Sequence, residues 1–420
     1  MATLQNVFQI VLLFFVLVTI HEWGHFYFAQ RAGILVREFA IGFGPKLISF
    51  KRKETRYTLR LLPIGGFVRM AGEDPEIVQI NPGQRIAVKL SGSQVTHIYV
   101  SDLEHRTSAV EGVVEEIDLE RKLFVRLDVD GAVERYAIHP QAMLVNKETE
   151  TQIAPWDRQF GSKTVGQRAL SIFAGPLMNF ILAFVLFVSV VFMIGVPTGR
   201  VMIQDAVAGS AAEKAGLQSG DIVISVNGED LGSNRDRIRE LVQNSANKPM
   251  DWVIERGGVQ VTKQVTPVLD KDGVFRVGVT NTLETRPTRF VEGIVEGGKN
   301  LISASTLILD GFGKLATLQV KMDDLGGPVR IVEFTSEQAS AGIPQYVSWT
   351  AIMSLYLGLF NLLPIPALDG SRLVFLGLEA LRGKPIDPSR ESMVHFVGFA
   401  MLMLLMIAVT YNDILRLING

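Results

Sequence analysis

Four stretches of the chain stay apolar for about as long as a bilayer core is thick, where a spanning helix needs ~20 residues. They run from about Val7 to Phe28, Ala169 to Val196, Tyr346 to Leu363 and Met393 to Tyr411. The second, ALSIFAGPLMNFILAFVLFVSVVFMIGV, carries no charge over its whole length. The third, YVSWTAIMSLYLGLFNLL, also fits a helix buried in a protein core. The first twenty residues hold no Lys or Arg. With no A-x-A-like site after the apolar run, the pattern predicts a retained helix and not a cleaved signal peptide.

Between the spans the pattern changes. Segment 57–70, YTLRLLPIGGFVRM, has two short β-like runs around Pro63-Ile64-Gly65-Gly66, which predicts a hairpin. It is apolar for a loop and is expected to be membrane-associated. Segment 76–160, with EGVVEEIDLERKLFVRLDVDGAVERYAI, predicts a small β-rich insert without assignable chemistry. Segment 197–282 holds AGSAAEKAGLQSGDIVISVNGEDL, a helical RDRIRELVQN and a strand-like DWVIERGGVQVTKQVTPV. Residues 288–320 read as an amphipathic helix lying along the membrane surface. The fold class expected is therefore a polytopic α-helical membrane protein with about four transmembrane helices, a membrane-associated β-hairpin, a β-rich insert and one α+β domain. The expected divisions are 1–75, 76–165, 166–196, 197–282, 283–345 and 346–420.

Composition agrees with a bilayer setting. Of 420 residues, 48% are apolar, and the mean hydropathy is +0.26. A formal net charge of -2 gives no basis for binding nucleic acid. Lys and Arg set the expected orientation. Arg31, Arg37, Lys46, Lys51, Arg52, Lys53, Arg56 and Arg60 follow the first span, and Lys163 and Arg168 precede the second. Arg372, Arg382, Lys384 and Arg390 lie between the third and fourth. Both loops are expected in the cytoplasm, with both termini and the segment 197–345 outside. The chain has no cysteine, so any metal must be held by His, Asp or Glu.

The strongest chemical signal is HEWGH, His21 to His25. Residues four apart share one helix face, so two imidazoles there can bind one Zn²⁺ with Glu22 beside them as general base. A catalytic zinc takes three protein ligands and keeps one position open. Asp369, in NLLPIPALDG, is the candidate third ligand. Pro364 and Pro366 cannot continue a helix, so the backbone unwinds there. Broken backbone at membrane depth is tolerated where it lines a cavity or is buried in protein. The bland alternative is an Asp that caps the next helix. Zn²⁺ with neutral His21 and His25 and anionic Asp369 and Glu22 sums to zero charge, which suits low dielectric. His97, His105 and His139 fall in the polar insert, and His395 reads as an interfacial residue at the start of the fourth span. Two other classes compete: a membrane scaffold with a dead metal site, and a metal transporter. The intact His-Glu-His with Asp weighs against the first, and four spans without an inverted repeat against the second.

HEWGH in the first span, FAGPLMN in the second and NLLPIPALDG after the third together resemble the site-2 protease family, closest to its bacterial RseP/RasP-like branch. QRAGILVREFAIGFGPKL and RLLPIGGFVRMAGEDPE are similar to that branch as well. The resemblance implies an intramembrane zinc metalloprotease, with His21, His25 and Asp369 as ligands and Glu22 as catalytic base. It implies substrate support from Asn361, Pro364 and the hairpin at Gly65 and Gly66, and packing or substrate support from Asn179. The implied substrates are single-span proteins already trimmed outside, membrane-bound anti-sigma factors first and leftover signal peptides second. Segment 197–282 resembles one PDZ domain, with GLQSGD and the NGE turn as its hallmark, and is expected to take substrate C-termini. Better-known relatives carry two such domains in tandem.

Overall fold

The computed structural model describes residues 4–73, 80–103, 109–147, 149–245, 247–270, 273–317, 319 and 326–419. The end of the motif RLLPIGGFVRMAGEDPE, from Asp74 on, lies outside the described residues. The chain divides into two compact units, residues 1–186 with 301–420, and residues 187–300.

In the first unit α1 (Leu4–Arg31) leads into β1 (Val36–Arg52) and β2 (Thr55–Met70). Residues 57–70 lie within β2, which reverses direction between Leu59 and Gly66 near the expected turn, but its two arms both pair with residues 38–41 of β1 instead of forming a simple hairpin. A separate turn at Lys53 and Glu54, with Lys53 at φ 56°, joins β1 to β2. The Gly-Gly pair also has a packing role. A Cβ on Gly65, at φ 76°, would stand 2.5 Å from the Phe43 ring, and one on Gly66 would stand 2.7 Å from the Ala40 carbonyl oxygen. These glycines permit close approach inside the strand, as strand glycines often do. The two strands also double back: residues 38–41 pair with 66–69 on one side and with 56–59 on the other, while 51–52 pair with 55–56. That leaves residues 66–70 and 46–52 as the outer edges.

The insert forms a six-stranded sheet: β3 (Arg85–Ser91), β4 (Gln94–Tyr99), β5 (Val110–Asp118), β6 (Phe124–Val129), β7 (Ala132–Asn146) and β8 (Thr149–Gln152). Its order is β4-β3-β5-β6-β7-β8, and a further β4–β7 pairing closes it on itself. Alternate residues such as Ile86, Val88, Val125 and Leu127 point into one apolar core. Two 3₁₀ turns, Trp156–Arg158 and Phe160–Ser162, lead to α2 (Val165–Ile194).

The second unit is a sheet of order β13-β12-β10-β9-β16, built from β9 (Val196–Ala206), β10 (Ile222–Val226), β12 (Met250–Arg256), β13 (Val259–Val265) and β16 (Val279–Arg286). Short strands β11 (Glu229–Asp230), β14 (Val268–Leu269) and β15 (Phe275–Arg276) and helices α3 (Ala211–Lys214) and α4 (Arg235–Asn244) complete it. Trp252, Met250, Ile254 and Ile203 are fully buried at its centre. A groove of about 1340 Å³ runs along α4 and β16.

After α5 (Phe290–Ala316) come α6 (Pro328–Ala341), α7 (Ile343–Asn361), α8 (Asp369–Arg382) and α9 (Pro388–Asn419). By length and composition, three of the described helices suffice to cross a membrane: residues 4–31, 165–194 and 389–418. The predicted third span, α7, is not among them. The reason is its place in the packing. Thr350, Ala351, Ser354, Leu355 and Gly358 are buried, Ser354 Oγ donates to the Asn179 carbonyl, and a Cβ on Gly358 would meet the Phe180 ring at 2.8 Å. Small residues on an inner helix let backbones approach, and that lowers its hydropathy.

Candidate metal centre

α1 and α2 meet through glycine. A Cβ on Gly24 of HEWGH would sit 2.2 Å from the Ala174 carbonyl oxygen, so the close crossing depends on that residue. Gly175 of FAGPLMN faces His25: a Cβ there would lie 2.2 Å from His25 Nε2. The second-span motif thus leaves room for an imidazole, a role that its sequence alone did not suggest. Between α7 and α8 the backbone leaves the helix from Leu362 to Leu368, with Ala367 at φ 77°. The following turn is tight, since a Cβ on Gly370 would stand 2.3 Å from the Leu362 carbonyl oxygen.

This arrangement brings three side chains together. His21 Nε2 and His25 Nε2 lie 3.2 and 3.4 Å from Asp369 Oδ2, and 3.2 Å from one another. Both histidines are buried. Asp369 opens the first turn of α8, but its side chain caps nothing: the N-cap is Leu368, without a side-chain cap bond.

Hydrogen bonds on the far sides of the rings set their tautomers. His25 Nδ1 donates to the Ser171 carbonyl at 2.9 Å, which leaves the lone pair on Nε2. The Asn179 amide lies 3.1 Å from His21 Nδ1 through Nδ2, while its buried Oδ1 has no partner. Exchanging the two ends of that amide, an orientation that the hydrogen-bond network decides, gives Oδ1 the Nδ1–H of His21. His21 Nε2 is then a lone pair as well. Three acceptors therefore face one another, and Asp369 Oδ2 is buried without a hydrogen-bond donor. Such a group repels itself unless a cation sits among the three. Tetrahedral zinc at ~2.0–2.2 Å from N and O ligands would set those ligand atoms about 3.3–3.5 Å apart, close to the separations here. The donor set fits zinc.

Glu22, next to His21 in α1, is buried, and a Cβ on Gly66 would touch its Cγ at 2.8 Å. β2 thus passes beside Glu22, and Leu61 and Leu62 just before it are half exposed, at 54% and 52%. Asn361 and Pro364 are not in the cluster. Asn361 Nδ2 donates to Leu357 O of its own helix at 3.0 Å, and Pro364 is exposed. Asn179 is fully buried against His21. A cavity of about 390 Å³ opens on Asp369, lined also by Arg372, Glu391 and His395. The larger groove in the second unit is lined by none of these residues.

A model of peptidase family M50 matches residues 9–405. The chain belongs to that family. A zinc metalloprotease RasP from Oceanobacillus iheyensis is 42% identical to it over 427 residues, covering 99% of this chain and 100% of that protein. The regulator of sigma-W protease RasP of Bacillus subtilis is 42% identical over 98% of this chain and 99% of its own length. The probable protease eep of Enterococcus faecalis is 39% identical over 98% and 99%. Among solved structures, the PDZ domain of an SdrC-like protein from Listeria monocytogenes aligns with 21% of this chain and 92% of its own, at 16% identity and a TM-score of 0.19. This M50 peptidase is thus a zinc metalloprotease of the site-2 protease class and a multi-pass membrane protein, as the resemblance of its motifs implied.

Proposed function

We propose that this M50 peptidase cuts peptide bonds within or next to the transmembrane segments of single-span proteins, with His21, His25 and Asp369 holding its zinc and Glu22 acting as base. The observation that carries the reading is the convergence of three acceptor atoms within 3.4 Å, with Glu22 in the same buried helix turn. When bound, zinc supplies a Lewis acid and lowers the pKa of water to near ~7. Glu22 takes the proton of the attacking water and returns it to the leaving amine. Asn179 and the Ser171 carbonyl hold the two imidazoles in orientation.

A helical substrate hides its carbonyls, so it must be unwound. The edge formed by residues 62–70 passes Glu22 and pairs within its sheet through residues 66–70 on one side only. It is suited to take an extended substrate as an added strand. Asn361 precedes the unwound loop that ends at Asp369, Pro364 lies within it, and both are assigned to a substrate backbone group. The name of the Bacillus subtilis relative points to a membrane-bound anti-sigma factor as substrate, and leftover signal peptides have the same single-span character. Residues 197–282 form a PDZ domain in this reading, taking substrate C-termini in the groove between α4 and β16. The Lys and Arg distribution supports both termini and this domain outside, with the metal centre toward the cytoplasm.

The test is a panel of single-span proteins in vesicles, cut by parent and Glu22→Gln and read by mass spectrometry of products. The variant should keep parental zinc and lose ~10²–10⁴-fold in rate. Parental cutting by Glu22→Gln would remove Glu22 as base.

A further inference from the structure

We propose that His395 is a positioning residue: through Nδ1 it holds Ala367 in a left-handed conformation and so fixes Asp369 for the metal. The inference rests on the reading of Asp369 as a zinc ligand.

The loop from Leu362 to Leu368 holds itself poorly. Pro364 and Pro366 offer no N–H, and the loop's own bonds are short-range ones such as Leu368 N to Ile365 O at 3.1 Å. Ala367 stands two residues before Asp369 at φ 77°, a region that a side chain with a Cβ adopts only under constraint. Its N–H does not bond within the loop. It donates to His395 Nδ1, at 3.0 Å, from α9. That bond puts the imidazole proton on Nε2, which lies 3.6 Å from Glu391 Oε1 one turn back. The ring also meets the Phe375 ring of α8 edge-on, with centroids 5.9 Å apart.

The next turn of α9 grips the same place. A Cβ on Gly398 would stand 2.2 Å from Pro366 Cβ, so the helix seats directly on the proline before Ala367. Two neighbouring turns of α9 thus hold Pro366 and Ala367, while α8 provides no cap bond to orient Asp369. Rotation at Ala367 would swing the carboxylate away from His21 and His25. His395 touches neither zinc ligand nor substrate in this account; it acts through the backbone of the loop.

The experiment measures zinc affinity of the full-length protein in detergent by chelator competition, alongside kcat and KM. His395→Phe keeps a ring against Phe375 but removes the acceptor. It should lose zinc affinity about tenfold, the lower end for a supporting residue, and lower kcat with little change in KM. His395→Asn places Oδ1 where Nδ1 was and should recover most of that loss. Melting curves check folding, and if His395→Phe does not fold, His395→Met carries the same readout. Parental zinc affinity in His395→Phe, or a loss in His395→Asn as large as in His395→Phe, overturns the proposal. Asp369→Asn runs in parallel. If it binds zinc like the parent, the reading of Asp369 fails; if it loses zinc while His395→Phe does not, only the role of His395 fails.

Discussion

Two of the clusters of polar side chains in the first unit differ in one respect. At the turn between β1 and β2, the Glu54 carboxylate accepts from Arg158 Nη1 and Nη2 at 2.6 and 2.8 Å, from Gln152 at 2.6 Å and from Gln141 at 3.2 Å. Every acceptor there meets a donor, and the Arg158 hydrogen bond holds the carboxyl down at about 2. At the other cluster His21, His25 and Asp369 bring three acceptors together with no donor among them. A cluster that satisfies itself is a fastening; one that does not is a site for something else. The fastening joins the turn of the sheet to the insert, and the site lies beside the same strand at Gly66.

Removing the charge at Asp369 breaks the contrast most severely. Asp369→Asn exchanges an anionic acceptor for a neutral amide and leaves the cation with less charge to balance it. Zinc affinity should fall by more than about a hundredfold, beyond the effect of a supporting residue, and proteolysis with it. Metal analysis after dialysis checks this, and full zinc occupancy with normal turnover would remove Asp369 from the ligand set.

Gly175→Ala should come next, because its methyl would occupy the place of His25 Nε2. The expected result is about a tenfold or larger loss of zinc affinity in a protein that still folds; parental metal binding would show that α2 does not shape the pocket. Gly66→Ala sharpens the contrast from the other side. Its methyl presses on Glu22 Cγ and not on a ligand. Turnover of spanning substrates should drop at least about tenfold, on the scale of a misplaced catalytic group, while zinc stays. Loss of zinc together with turnover would contradict that separation.

Glu54→Gln should have the smallest effect on chemistry. It removes charged hydrogen bonds worth ~1.5–3 kcal/mol, so the melting temperature should fall with zinc content unchanged. The carboxyl is held below its ordinary value of ~4.3, so its contribution is complete above that pH and is lost as pH falls toward about 2. The parent's acid unfolding curve should show this term, and the variant's should lack it.

How much of this could be read in the sequence follows from where each signal lies. HEWGH was legible because helix spacing alone puts two imidazoles on one face, and the LDG break because two prolines stop a helix. A reversal near Gly65-Gly66 was legible, but the turn at Lys53 and Glu54 and the pairing of both arms with residues 38–41 were not, because they depend on β1. The length of α7 and its fit to a buried helix were legible, but not the contacts of Ser354 and Gly358 with α2 that hold it there. Gly175, the partners of Glu54 and the bond from Ala367 to His395 depend on residues many positions apart, and no local pattern carries them.

The central claim is that the three facing acceptors are a zinc site. X-ray absorption at the zinc edge of purified Glu22→Gln, which should hold metal without turning over, tests it most directly. The account predicts zinc with two imidazole nitrogens and carboxylate oxygen at ~2.0–2.2 Å, the imidazole signal falling when His21 or His25 is replaced. A protein free of zinc, or a zinc shell without imidazole, would contradict it.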